Sequence, residues 1–429
     1  MLLTQLPLLG LHLAIIRDCA AKPTKQACFI GAGLSVAIPV AVLVALLLWY
    51  LLPIVYPQPL LQGPVLYAAA VILPLGVIAV FEAAFIGLQR LKTLALFSMA
   101  EVIARFIGSA IILTNGGGID GLFIIFLITK IILSVSFLVF WRFFIPSNLS
   151  VNNWLRILII LKSYIRKIPV FAGILFVSAF ALRIDTLWLS WVAEMDQVAM
   201  YAAPFKLYEV AMMVPGMMAT VLLSMFSSLV VTSRIAFNNL FVATVRFYLL
   251  VGIVPVVIFI MMSEQVITMV FGDQYVEGAG ILSLLVATAL LNALDQVVTM
   301  GMLATGMQKI DLLVATVTLV IVAVSLALLI PNFGAAGAAL SVLIAALIRL
   351  TIRNLIFYKI QGCNPFSWSI LHPILFVIGF VWMLTGMLSF SSGYLIMVLV
   401  PCYLVYLVVT RVVSREEVVK MGQMMKKNG

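Results

Sequence analysis

Apolar runs of roughly twenty residues follow one another from end to end of the chain, each long enough to cross a hydrocarbon layer as a helix. With charged, Pro and Gly clusters as boundaries, the pattern predicts about thirteen spans: residues 2–16, 27–56, 63–87, 94–114, 119–141, 168–192, 197–231, 240–262, 278–305, 312–331, 335–352, 369–389 and 393–410. Composition agrees with that pattern. Of the 429 residues, 65% are hydrophobic and 9% charged, with a mean hydropathy of +1.26, against about 45–50% apolar and about 25% charged in soluble chains. The expected fold class is therefore all-α integral membrane, which excludes soluble enzymes, nucleic-acid-binding domains and disulfide scaffolds.

Charge alternates between successive connections. One set carries Arg17, Lys22 and Lys25, then Arg90 and Lys92, Arg142, Arg156, Lys162, Arg166 and Lys167, Arg234, Lys309, Arg353 and Lys359, and a tail from Arg411 to Lys427. The other set has only acids: Glu194, Asp196, Glu264, Asp273 and Glu277, with Asp120 at a span edge. Positive residues stay on the cytoplasmic side, which places the first set and the C-terminus in the cytoplasm and spends most of the +10 net charge on orientation. Of the four cysteines, Cys19, Cys28 and Cys363 fall in or beside cytoplasmic loops and Cys402 lies in an apolar run, so reduced thiols are expected. The stretch from Asn152 to Lys167 mixes basic and apolar residues and predicts an amphipathic helix on the inner leaflet.

An internal repeat is legible where spans meet turns. Gly87-Leu88-Gln89-Arg90-Leu91 matches Gly306-Met307-Gln308-Lys309-Ile310 at an offset of 219, Gly118 to Gly121 matches Gly334 to Gly337 at 216, and Arg17 matches Arg234 at 217. Matched landmarks of equal orientation predict two parallel halves. The expected organisation is an N-terminal bundle over 1–145, a C-terminal bundle over 146–360 preceded by the amphipathic linker, and two additional spans with a basic tail over 361–429. On this matching the first half lacks its opening span. A complete version would hold about fourteen spans, and the coding region is expected to extend upstream.

Four motifs then carry a family resemblance. Gly10-Leu11 precedes Arg17-Asp18. Arg183-Ile184-Asp185 leads through Asp196, Tyr201-Ala202-Ala203, Lys206 and Glu209 to Val214-Pro215. Phe271-Gly272-Asp273-Gln274-Tyr275 is followed by Ala279 and Leu282. Leu303-Ala304-Thr305-Gly306 with Lys309 is followed by Ile330-Pro331-Asn332-Phe333-Gly334-Ala335-Ala336-Gly337-Ala338-Ala339. Over about residues 5–360 the chain resembles the polysaccharide-unit flippases, of O-antigen and teichoic-acid type, in the multidrug/oligosaccharidyl-lipid/polysaccharide exporter superfamily. It departs from them at Leu223-Ser224-Met225, where a Pro is usual, and in lacking the first span. The resemblance implies two helical bundles of the multidrug-exporter type. It also implies transfer of an undecaprenyl-pyrophosphate-linked oligosaccharide across a bacterial inner membrane by alternating access. The partners implied are that substrate and membrane lipids, with polysaccharide polymerase and chain-length proteins as further candidates. Nucleic acid, cofactor and metal are not expected, and coupling to a proton or sodium gradient is left open.

Ionisable groups within spans are the one chemical signal independent of that resemblance, because each costs about 2.5–3.5 kcal/mol to insert. Arg246 and Arg349 lie near cytoplasmic ends, where snorkelling to the interface is expected. Glu101 and Arg105 are spaced i,i+4, and Lys206 and Glu209 i,i+3, so each pair can close on one helix face. Lys130 and Arg183 have no partner at such spacing, and Asp185, two residues from Arg183, points away from it. Each of these two cations therefore meets either a cavity or another helix. The candidate substrate-binding residues are Lys130, Arg183, Asp185, Arg105 and Lys206; the candidates for gating or ion coupling are Glu82, Asp295 and Glu209. A cation-coupled multidrug exporter of the same fold is the alternative reading. A membrane glycosyltransferase or polymerase would need a larger outer loop than Ser263 to Glu277 provides, and no phosphate-binding Gly-x-x-x-x-Gly-Lys motif occurs.

Overall fold

The computed structural model describes residues 8–55, 59–114, 116, 118–144, 151–363 and 401–402. Its helices are α1 His12–Ala21, α2 Gln26–Val55, α3 Pro59–Gly87, α4 Leu91–Thr114, α5 Gly118–Phe144, α6 Val151–Ala181, α7 Ile184–Val192, α8 Met195–Thr232, α9 Arg234–Met261, α10 Ser263–Phe271, α11 Ala279–Ala304 and α12 Gln308–Gln361. Among the described residues, eight helices are long and apolar enough to cross a membrane, and a ninth span arises if α6 and α7, bent by 42° at Leu182 and Arg183, are taken together. The predicted spans 369–389 and 393–410 lie outside the described residues except for Pro401 and Cys402, as do residues 2–7 of the first span and the basic tail.

Helix α12 accounts for two predicted spans, 312–331 and 335–352. It breaks at Gly334, whose φ of 53° is open to glycine and costly for other residues. Arg353 nevertheless pairs with Asp311 at 2.9 Å, although 42 residues of straight helix would separate them by about 63 Å. The two arms therefore run antiparallel. Gln197 of α8 steadies the turn by accepting a hydrogen bond from the Ala335 amide at 3.1 Å. A methyl group at Gly337 would meet the Leu329 carbonyl, so the arms touch backbone to backbone here.

Two predicted boundaries differ. Helix α1 runs through Arg17 and Asp18 to Ala21, so the pair ends a helix rather than occupying a loop. The predicted surface helix before Ile168 is continuous with the span that follows it, because α6 carries straight through Pro169.

The repeat is visible in backbone hydrogen bonds, at a register that residue matching missed. After α3, the amides of Leu88, Gln89 and Arg90 donate to the carbonyls of Ala84, Ile86 and Phe85; after α11, those of Thr305, Gly306 and Met307 donate to Gly301, Leu303 and Met302. Every bond in the second set lies 217 residues after its counterpart, so Gly306 answers to Gln89 and not to Gly87. Both turns are the Schellman closure, whose pivot is left-handed. Gly306 has φ 82° and Gln89 φ 58°. Gly118 and Gly334 also share a positive φ, 58° and 53°. The Arg17 and Arg234 landmark fails, since Arg17 lies within α1 while Arg234 opens α9 behind the N-cap Ser233. A side chain in the left-handed region costs about 1–2 kcal/mol, so Gln89→Gly is expected to stabilise the protein by about 1 kcal/mol in a reversible unfolding measurement. A loss of stability would show that the Gln89 side chain makes a compensating contact.

The described chain divides into two compact units, one holding the residues up to Phe176 with Leu223–Val231, the other Val177–Leu222 and the residues from Thr232 onward. In the first, Phe81 and Phe85 of α3 meet Phe137 of α5 with ring centroids 5.8 and 5.4 Å apart, and Phe97 of α4 closes the cluster at 5.2 Å. The Ser224 hydroxyl donates to the Gly87 carbonyl at 3.0 Å, satisfying the end of α3. In the second, Phe241 of α9 packs on Phe357 of α12 at 4.7 Å over Gly301. Tyr201, Phe205 and Tyr208 form one aromatic row along α8, buried against α11 and α12.

Candidate functional site

Among the described residues, charges within or beside the spans gather into three groups, each within one unit. In the first unit, Lys130 of α5 pairs with Glu101 of α4 at 3.1 Å, and Arg105 reaches the same carboxylate at 3.7 Å. The ring of Phe126 lies 5.5 Å from the Arg105 guanidinium and 5.7 Å from the Lys130 ammonium, within range of cation–π attraction to both. Glu82 on α3 is within electrostatic reach of Lys130 and Glu101. Lys130 is thus half of an interhelical ion pair, the second of the two settings open to it from sequence. Its partner is on another helix, where spacing along one helix could not reveal it.

In the second unit, Arg183 at the α6–α7 bend pairs with Glu209 of α8 at 2.8 Å, and Lys206 pairs with the other oxygen of Glu209 at 2.7 Å. These side chains are open: Arg183 is 54% exposed, Lys206 63% and Glu209 33%. One carboxylate shared by two cations leaves a surplus of one positive charge. Asp185 turns inward, as expected from its spacing to Arg183. It accepts hydrogen bonds from the Tyr201 hydroxyl at 2.5 Å and from the Thr186 amide at 2.7 Å, and it is buried. Its geometry is that of a residue that fixes α7 against α8 and so sets Arg183 opposite Glu209.

The third group joins α8, α11 and both arms of α12. Asp295 pairs with Arg349 at 2.8 Å and with Arg353 at 2.5 Å, and Arg353 continues to Asp311 at 2.9 Å. Arg349 also donates to the Asn292 carbonyl oxygen, and the Asn292 amide donates to the Tyr208 hydroxyl at 2.8 Å. Arg349 therefore reaches inward to Asp295 instead of snorkelling. Arg353, placed by sequence in a cytoplasmic connection, is buried in the bundle. Of the gating candidates, Asp295 lies nine residues before the end of α11 and Glu82 five before the end of α3. Asp311, Arg353, Asn292, Tyr201 and Tyr208 were not legible as site residues, because their partners lie far away in sequence. Among the described residues no cluster of His, Cys, Asp or Glu is placed to hold a metal ion.

No family model and no curated protein sequence matches the chain. Solved structures do. A multidrug-resistance MATE family transporter of the MOP superfamily, in its outward-facing conformation, superposes with a TM-score of 0.68 at 12% identity, over 84% of each chain. A Vibrio cholerae MATE transporter gives 0.69 at 17% identity, over 84% of this chain and 86% of its own. A eukaryotic MATE transporter, AtDTX14, gives 0.65 at 12% identity, over 83% and 85%. This chain therefore has the two-bundle helical fold of the MATE transporters.

Proposed function

We propose that the chain is a non-enzymatic transporter working by alternating access in a bacterial inner membrane, and that its cargo is a polyprenyl-pyrophosphate-linked oligosaccharide. The observation that carries the cargo reading is the exposed pair Arg183 and Lys206 with their single shared acid. Arg183 lies eleven residues before Glu194 and Lys206 ten residues after Asp196, about 15 Å of helix from the outer connection in either case. That is near the middle of a hydrocarbon layer about 30 Å thick. Exposed cations at this depth are costly against acyl chains and require water or an anionic companion. A pyrophosphate provides that companion, with Arg offering a fork of donors and Lys a mobile point charge.

Two observations favour a second reading, a cation-coupled multidrug exporter of the same fold. The solved neighbours' names speak for drug export more directly than for lipid flipping, and Lys130 and Arg183, the two cations without a partner on their own helix, both meet a carboxylate on another helix. In that case Glu209 is the group that attracts a cationic drug.

The two readings separate in a strain from which the gene is deleted and then restored as wild type, Arg183→Gln/Lys206→Gln or Glu209→Gln. For a flippase, surface polysaccharide is expected to vanish on deletion, to return with wild type, and to stay at least tenfold reduced with the Arg183/Lys206 variant at normal protein level. Unchanged polysaccharide on deletion, with cationic-dye efflux lost on deletion and on Glu209→Gln, would overturn the flippase reading in favour of drug export.

A further inference from the structure

Helix α6 carries no acidic residue, and its basic residues divide by face. Lys167 turns inward, 3.6 Å from Asp18 and 5.6 Å from the buried Tyr164 ring. Lys162 and Arg166 are exposed, stand one turn apart on the same side, and have no ion pair or hydrogen bond among the described residues. The exposed side also bears Leu155 at 58%, Leu158 at 56%, Ile159 at 70% and Ile165 at 54% exposure, while Ile157, Tyr164 and Phe171 recur every seven residues on the buried side.

Such a face suits neither water nor hydrocarbon. Four large apolar side chains would be left wet in the cytosol, and two unpaired cations would be left dry among acyl chains. It suits the boundary between them, where apolar side chains enter the acyl region and long basic ones reach up to phosphates.

We propose that Lys162 and Arg166 form a binding site for the phosphodiester of an anionic membrane lipid in the cytoplasmic leaflet, with the flanking leucines and isoleucines against its acyl chains. The site is independent of the transported cargo. It explains why one of three neighbouring cations is neutralised inside the protein while two are left unpaired on a face that is otherwise apolar.

The full chain would be reconstituted in phosphatidylcholine nanodiscs containing a third phosphatidylglycerol, then gently extracted, and retained phosphatidylglycerol counted by native mass spectrometry. Lys162→Gln/Arg166→Gln is expected to retain several-fold less than wild type. Lys162→Arg/Arg166→Lys should retain close to the wild-type amount, and Lys22→Gln/Lys25→Gln, altered elsewhere on the cytoplasmic side, should match wild type. Unchanged melting of the Gln variant in pure phosphatidylcholine would establish that its fold is intact. Undiminished retention by the Gln variant would overturn the site. An equal loss in the Lys22/Lys25 variant would also overturn it, since any cytoplasmic charge would then suffice.

Discussion

Replacing Arg353 by Leu is expected to leave little of the protein in the membrane. Arg353 bridges Asp295 and Asp311, and Asp311 is only 1% exposed. Without the guanidinium, Asp311 loses its only ion pair among the described residues, whereas Asp295 keeps Arg349. Stranding one member of a buried ion pair costs about 3–5 kcal/mol, a large part of the total stability of a typical domain. Arg349→Leu should be milder, because Asp295 then retains Arg353. The double variant Arg353→Leu/Asp311→Leu removes both ends of the broken link and should recover most of the lost protein. Quantitative blotting of membranes, with melting of whatever can be purified, gives the ranking. Equal accumulation of the Arg353 and Arg349 single variants would show that the group does not hold the two arms of α12 together.

The turn between the two arms of α12, at Gly334, provides a second large effect. Gly337→Val places a branched side chain where the Leu329 carbonyl and the Ile330 amide already stand. Backbone cannot rotate aside as a side chain can, so the arms must separate. Overfilling a packed site costs typically about 1–3 kcal/mol, and a backbone obstacle belongs at or above the upper end. The expected result is a markedly lower melting temperature with helical content retained. Gly216→Val is the contrasting control, since a Cβ at Gly216 meets nothing within 4 Å. Similar losses at the two positions would mean that the close approach of the arms is not what Gly337 provides.

The spans were legible because burial in lipid imposes one dominant rule, an apolar run of fixed length, and that rule is local in sequence. Local rules also found Lys206 with Glu209 and Arg105 with Glu101, pairs set by the helical repeat alone. They could not find Lys130 with Glu101, Arg349 with Asp295 or Arg353 with Asp311, which are 29, 54 and 42 residues apart and meet only through helix packing. Arg353 was misplaced for a related reason: a basic residue just past an apolar run reads as an interfacial anchor, and only the neighbouring acids draw it inward. The repeat was found through glycines yet matched two residues out of step, because a left-handed pivot is marked by glycine in one half and held by Gln89 in the other.

The way charge is partitioned in the second unit bears on how a transmembrane voltage can act on it. Electrical work on a moving group scales with net charge, about 2.3 kcal/mol for one elementary charge crossing 100 mV. Asp295, Asp311, Arg349 and Arg353 sum to zero, so the field does no net work when they shift as a body. Arg183, Lys206 and Glu209 sum to one positive charge, at about half depth. The response of these groups to voltage is thus concentrated in the three open side chains. On the proposed cargo reading, a pyrophosphate diester brings two negative charges and turns the sum from plus one to minus one, so the potential would act in opposite senses on the loaded and the empty site.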